Sequence, residues 1–136
     1  MNRILFLVDD DKDDQEIFVD ALKNVDNYIH CITALNGLEA LQKLKFELIS
    51  LPDFIFLDLN MPLMGGRECL IEIKKDSNLR HIPVVIYSTS ASKKDIQEAL
   101  QLGAIFLQKP NKFNELVQDL LKIISPDPAT NKTLFS

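Results

Sequence analysis

The residues with the most chemistry to offer sit directly behind short apolar runs. Ile4-Leu5-Phe6-Leu7-Val8 is followed by Asp9, Asp10 and Asp11. Phe54-Ile55-Phe56-Leu57 is followed by Asp58, with Asn60, Met61 and Pro62 close behind. Val84-Val85-Ile86-Tyr87 leads into Ser88 and Thr89, and Ile105-Phe106-Leu107 leads through Gln108 to Lys109. If these run ends meet, at least two carboxylates, one or two hydroxyls and an ammonium share one place. Carboxylates side by side repel, and one must take a proton unless a cation joins them. A divalent cation resolves that conflict, and an all-oxygen donor set favours Mg2+, or Mn2+, over zinc. The lysine is then more positive charge than the metal site needs, but it suits an incoming phosphoryl group. An aspartate beside a hard cation, a lysine and a hydroxyl is a good phosphoryl acceptor, because carboxylates form aspartyl phosphates. Metal and lysine neutralise the equatorial oxygens during in-line transfer.

The elements that must position these groups follow from the runs themselves. All four are uniformly apolar rather than alternating, as expected of strands buried on both faces of a parallel sheet. A more mixed run, Tyr28 to Thr33, suits an edge strand. Helical stripes fill the gaps: Ile17, Phe18, Ala21, Leu22 and Val25; Leu38, Leu41, Leu44 and Leu48; Cys69, Leu70 and Ile73; Ile96, Ala99 and Leu100; Phe113, Leu116, Val117, Leu120, Leu121 and Ile124. The order is β-α repeated five times, and right-handed crossovers fold that into an α/β three-layer sandwich. In such a sheet the carboxyl ends of the strands line one edge, where the ligand crevice of an open α/β fold lies.

The chain has 136 residues, about one domain at roughly 150 residues each. With 46% hydrophobic and 26% charged residues it is a globular sequence, neither disordered nor fibrous. The formal net charge of −5 disfavours general nucleic-acid binding. Cys31 and Cys69 have no C-x-x-C spacing and are expected to be reduced core thiols, and the two histidines, His30 and His81, are expected at the surface. No apolar stretch matches a membrane span or a secretory signal, so the expected setting is the cytoplasm, without a membrane partner. Residues 1–124 form the domain, and 125–136, beginning Ser-Pro-Asp-Pro, are expected to be a flexible tail on which Leu134 and Phe135 could dock back. Gly65 and Gly66 are expected to serve a tight turn before the third helix. Asp13, Asp14 and Glu16 favour the start of the first helix by charge.

Taken in order, Val8-Asp-Asp-Asp11, Leu57-Asp58-Leu-Asn-Met-Pro62, Met64-Gly-Gly66, Pro83-Val-Val-Ile-Tyr-Ser-Thr89 and Lys109-Pro110 resemble the receiver domain of two-component response regulators. The likeness covers residues from about 3 to 124. It implies a flavodoxin-like (βα)5 fold with strand order 2-1-3-4-5. It implies Asp58 as phosphoacceptor, Asp9 and Asp10 as the acidic pair, and Asp10 as the more direct metal ligand. Further metal oxygens would come from Asp58 and the backbone carbonyl of Asn60. Lys109 would pair with the phosphoryl group, Ser88 would be the switch hydroxyl and Phe106 the switch aromatic. A cis Lys109–Pro110 bond would aim the ammonium into the crevice. Between Ala104 and Phe106 the chain is one residue shorter than the usual pattern, and phenylalanine lacks the hydroxyl of the commoner tyrosine.

The implied function is a phosphorelay component. A histidine kinase or histidine phosphotransfer protein would phosphorylate Asp58 with Mg2+, and the altered surface would engage a downstream protein as a monomer or weak homodimer. The domain would catalyse its own phosphorylation and dephosphorylation without a separate output enzyme, since the sequence stops soon after the fifth helix. The rivals are a receiver-like interaction module that is never phosphorylated, a phosphorelay intermediate, and an enzyme on a similar sheet. Of the enzymes, a flavin carrier is disfavoured because Asp-Asp-Asp-Lys-Asp-Asp after the first strand would repel a flavin phosphate. A phosphatase would turn over added phosphoesters, whereas a receiver labels itself once.

Overall fold

The computed structural model describes residues 3–124. Five strands alternate with five helices: β1 (Ile4–Val8), α1 (Lys12–Val25), β2 (His30–Ala34), α2 (Gly37–Gln42), β3 (Phe54–Leu57), α3 (Gly66–Lys75), β4 (Val84–Ser88), α4 (Lys93–Gln101), β5 (Ile105–Gln108) and α5 (Phe113–Ile124). The strands are all parallel, in the order β2-β1-β3-β4-β5. The flavodoxin-like α/β sandwich expected from the sequence is therefore the observed fold.

Successive side chains of a strand point to opposite faces. So β1 sends Leu5 and Leu7 one way and Phe6 and Val8 the other. On one face Leu5, Leu7, Phe56, Val85 and Tyr87 pack under α1 and α5 through Phe18, Leu22, Leu116 and Leu120. There Phe18, Phe56 and Tyr87 form an edge-to-face trio with centroids 5.2, 5.6 and 6.1 Å apart. On the other face Phe6, Val8, Ile55, Leu57, Val84 and Ile86 pack under α2, α3 and α4 through Ala40, Leu70, Ile73 and Ala99. The central strands β1, β3 and β4 are uniformly apolar because neither face meets water, whereas β5, expected to be buried on both faces, is an edge strand whose Ile105, Phe106 and Leu107 are half-buried.

Three helices, α1, α2 and α4, begin on side-chain caps. Asp11 accepts from the N–H groups of Asp13 and Asp14, Asn36 from Glu39 and Ser92 from Asp95. Three expectations need correction. The edge strand starts at His30 rather than Tyr28, because the Asp26 carboxylate accepts the Tyr28 N–H at 2.9 Å and holds that residue in a turn. The strands leading to Ser88 and Lys109 each run one residue further, to Ser88 and Gln108. The Leu38-to-Leu48 stripe is not one continuous helical face. α2 gives way to a π-helical turn at Lys43–Glu47, where the Leu48 N–H reaches Lys43 O at 2.9 Å. Leu38 is exposed because α2 turns Gly37, Ala40 and Leu44, at ordinary helical spacing, onto the core, with Leu41 and Leu48 partly buried against it.

Cys69 is buried and Cys31 half-buried; both are free, and burial pushes each thiol up to about 12. His30 and His81 are exposed, as expected. Among the described residues no helix is long and apolar enough to cross a membrane. The expectations for 125–136, including Leu134 and Phe135, lie outside the described residues.

Candidate functional site

The sheet ladder delivers the site. One backbone hydrogen bond beyond each strand fixes the next residue to its neighbour: Asp9 N–H to Ala34 O at 3.0 Å, Asp58 N–H to Val8 O at 2.9 Å, and Lys109 N–H to Ser88 O at 2.8 Å. All three residues therefore lie on one rim, at the carboxyl ends of β1, β3 and β5. Asp9, Asp10 and Asp58 each present a carboxylate oxygen within 4.8 Å of the others. Asp9 is buried, Asp58 nearly so, and Asp10 exposed.

Lys109 completes the cluster. Its Nζ donates to Asp9 Oδ2 at 2.8 Å, Asp14 Oδ2 at 3.0 Å and Asp58 Oδ2 at 3.4 Å. It also lies 5.3 Å from the centroid of the Tyr87 ring, in cation–π range. The other Asp9 oxygen accepts the Asp11 N–H at 2.9 Å. Gln15 Nε2 ties the start of α1 to Asp9 O at 2.7 Å and Ala34 O at 3.0 Å.

Charge is unbalanced here: four carboxylates share the rim with one ammonium, which contacts three of them. Burial pushes the Asp58 carboxyl up to about 6. Lys109 pulls it down and Asp9 pushes it further up, so the lysine does not fully compensate. Burial alone would lower Lys109, but its hydrogen bonds to Asp9 and Asp14 and the nearby carboxylate charges outweigh that and hold it above its ordinary value. The ammonium is thus permanently charged, while the acids have negative charge to spare. Three closely spaced oxygens from aspartates fit a hard divalent cation such as magnesium or manganese. No cysteine or histidine belongs to this cluster, which does not suit zinc.

The remaining expected residues divide. Ser88 is buried at the end of β4, opposite Gln108 in the ladder, and its Oγ accepts the Ser90 N–H at 3.2 Å. Asn60 is exposed in the loop after β3 and lines a cavity of about 240 Å³ with Arg67, Ser90, Asp95 and Glu98. Phe106 is half-buried opposite Ile86 and packs on the α2–α3–α4 side. Lys109–Pro110 is not cis: no cis peptide bond occurs among the described residues. The trans chain reaches the acids because the Lys109 N–H bond to Ser88 O already fixes the residue at the rim.

The two glycines at the start of α3, Gly65 as its cap and Gly66 as its first residue, serve close approach rather than an unusual backbone turn, since neither has a positive φ. A Cβ on Gly66 would collide with the Asp58 carbonyl oxygen, and one on Gly65 would come within 2.8 Å of Leu59 O. The Gly66 N–H bonds Leu59 O at 2.9 Å, so the loop carrying Asp58 is clamped onto the start of α3. Asp14 was missed as a site residue. Its position in the first turn of α1 reads the same as that of Asp13, and only the folded geometry separates them.

The profile of the response regulator receiver domain matches residues 5–121. The chain is 33% identical over 119 residues to response regulator Rcp1 of Synechocystis, covering 84% of this chain and 81% of that protein. It is 36% identical over 126 residues to a protein-glutamate methylesterase/protein-glutamine glutaminase of Clostridium acetobutylicum, covering 88% of this chain but 35% of that longer protein. Among solved structures, the phosphorylated cyanobacterial phytochrome response regulator RcpA superposes with a TM-score of 0.83 at 36% identity, covering 90% of this chain and 91% of that one. The Mn2+-bound form of Rcp1 superposes with a TM-score of 0.80 at 31% identity, covering 91% and 93%.

Proposed function

This chain belongs to the response regulator receiver family, and from that premise we propose that Asp58 is its phosphoacceptor, served by Asp9, Asp10 and Lys109. The observation that carries this reading is the convergence of Lys109 Nζ on Asp9 and Asp58 beside the three-acid oxygen cluster. On this reading an Asp58 carboxylate oxygen attacks the phosphorus of a phosphohistidine on a partner protein. The P–O bond forms as the P–N bond breaks, and the histidine nitrogen keeps the electron pair. Lys109 holds a transferred phosphoryl oxygen by a charge-assisted hydrogen bond. Asp9, Asp10, Asp58 and the Asn60 carbonyl would hold a divalent cation, which would supply charge neutralisation at those oxygens. The family members RcpA and Rcp1 have been solved phosphorylated and Mn2+-bound, respectively, which supports both parts for this chain; Mg2+ is the proposed physiological ion.

The phosphoryl group adds a charge of about −1.5 to −2 and three acceptor oxygens. The Ser88 hydroxyl, next to this rim, exchanges its Ser90 contact for a phosphoryl oxygen, and Phe106 repacks against α4 in response. The charge biases an equilibrium between two arrangements of that face. A histidine kinase or histidine phosphotransfer protein loads the domain in the cytoplasm, the domain catalyses its own loading and hydrolysis, and a downstream protein reads the surface.

The test is intact-mass and peptide-mapping mass spectrometry with acetyl phosphate and magnesium. One phosphoryl group should map to Asp58, and the Asp58→Asn variant should take none. Full labelling of that variant would move the acceptor elsewhere. Failure of the wild type to bind beryllofluoride with magnesium would favour the unphosphorylated interaction module.

A further inference from the structure

We infer that Asp14 is a positioning residue for Lys109, holding the ammonium at the rim when the acid cluster is occupied; this rests on the phosphoacceptor reading above. Lys109 is divided among three carboxylates. Two of them, Asp9 and Asp58, also belong to the oxygen cluster that fits a cation. A divalent ion there draws on the same oxygens and repels the ammonium. Asp14 stands outside that cluster, 3.0 Å from Nζ, and keeps its whole charge for the lysine.

Its placement is fixed. Asp14 lies in the first turn of α1, and its own N–H is capped by Asp11 Oδ1 at 3.2 Å. The next residue, Gln15, pins that turn to the carbonyls of Asp9 and Ala34. The Tyr87 ring lies near the ammonium as well. Asp14 and Tyr87 together give Lys109 a seat that does not depend on the metal oxygens. With Asp14 neutral, the lysine falls back on Asp9 and Asp58 and competes with an incoming cation. Asp13, in the same turn, makes no hydrogen bond or ion pair with Lys109 among the described residues, which makes it the matched control.

The experiment is calorimetric titration of the full chain with beryllofluoride and magnesium. Asp14→Asn should weaken binding about fivefold to tenfold, as expected for loss of one charge-assisted hydrogen bond. Asp14→Glu should recover most of it, Asp13→Asn should change it little, and Asp14→Asn should add nothing in a Lys109→Ala background. An equal loss for Asp13→Asn, or an undiminished loss in the Lys109→Ala background, would make the effect one of overall charge and overturn the inference. So would no loss at all. A second measurement needs no ligand: in metal-free protein, the shift in denaturation midpoint caused by Asp14→Asn should vanish once Lys109 is alanine, and persistence of the shift would overturn the pairing. Should wild type bind no beryllofluoride, the phosphoacceptor reading fails while this second measurement still judges the Asp14–Lys109 pair.

Discussion

At the scale of single residues, the acid proposed as phosphoacceptor works against the fold. Asp58 ionises at about 6 in the folded chain against 3.8 for an ordinary aspartate. Below about pH 4 both folded and unfolded chains are protonated at this group. Between about 4 and 6 the folded chain keeps a proton that the unfolded chain has lost, so its contribution to stability falls as pH rises. Above 6 the whole penalty is present. Asp58→Asn should therefore stabilise the metal-free protein at pH 7 by on the order of 1–3 kcal/mol, with the gain vanishing towards pH 4. Thermal melts in chelator across that range check it, and a gain that grows as pH falls would contradict it. Asp10 differs in kind, being exposed and free of Lys109. Asp10→Ala should weaken magnesium binding well beyond Glu98→Ala, whose carboxylate is engaged by Arg67 at 2.9 Å on the surface of α3 and α4. Equal affinities in a magnesium titration would remove Asp10 from the metal site.

At the scale of elements, the loop between β3 and α3 holds Asp58 because two helix-start residues have no side chain. Gly66→Ala brings a methyl group into the Asp58 carbonyl, so either the loop or α3 must shift. The expected cost is about 1–3 kcal/mol of stability together with weaker magnesium binding, read by denaturant unfolding and titration. An unchanged midpoint would show that the clamp yields without cost. The elements themselves were largely legible in the sequence, since a strand covered on both faces must be apolar at every position. The rim residues were legible for the same reason: Asp9 and Asp58 are the first polar side chains after such a run. Strand order came from the family likeness, because apolar runs carry no record of which neighbours they join. The π-helical turn at Lys43–Glu47 was invisible, since one inserted residue leaves the spacing of Leu41, Leu44 and Leu48 helical in appearance. Asp14 was hidden because an acid in a first turn is sufficiently explained by the helix dipole. The direction of Ser88 was equally hidden, because a ladder bond between backbones leaves no mark on side-chain type.

At the scale of the whole molecule, the formal charge of −5 is concentrated in part at one rim, where Asp9, Asp10, Asp14 and Asp58 gather. Magnesium should raise the melting temperature by mass action, adding on the order of 2.7 kcal/mol of stability at a hundred times its dissociation constant. Sodium chloride at matched ionic strength should do less, because it screens charge without bridging the acids. Equal shifts with the two salts would argue against a built cation site. The two faces of the sheet also divide the molecule. The aromatic trio lies under α1 and α5, and its Tyr87 is the ring beside Lys109. The chain contains two tyrosines and no tryptophan, and the other tyrosine, Tyr28, stands in solvent beyond α1. Replacing Tyr28 with phenylalanine would leave Tyr87 as the one tyrosyl fluorophore in a chain without tryptophan, lodged beside the ammonium. Ultraviolet emission from an unlabelled sample would then follow events at the rim in real time, without a dye, a radioisotope or a fused reporter.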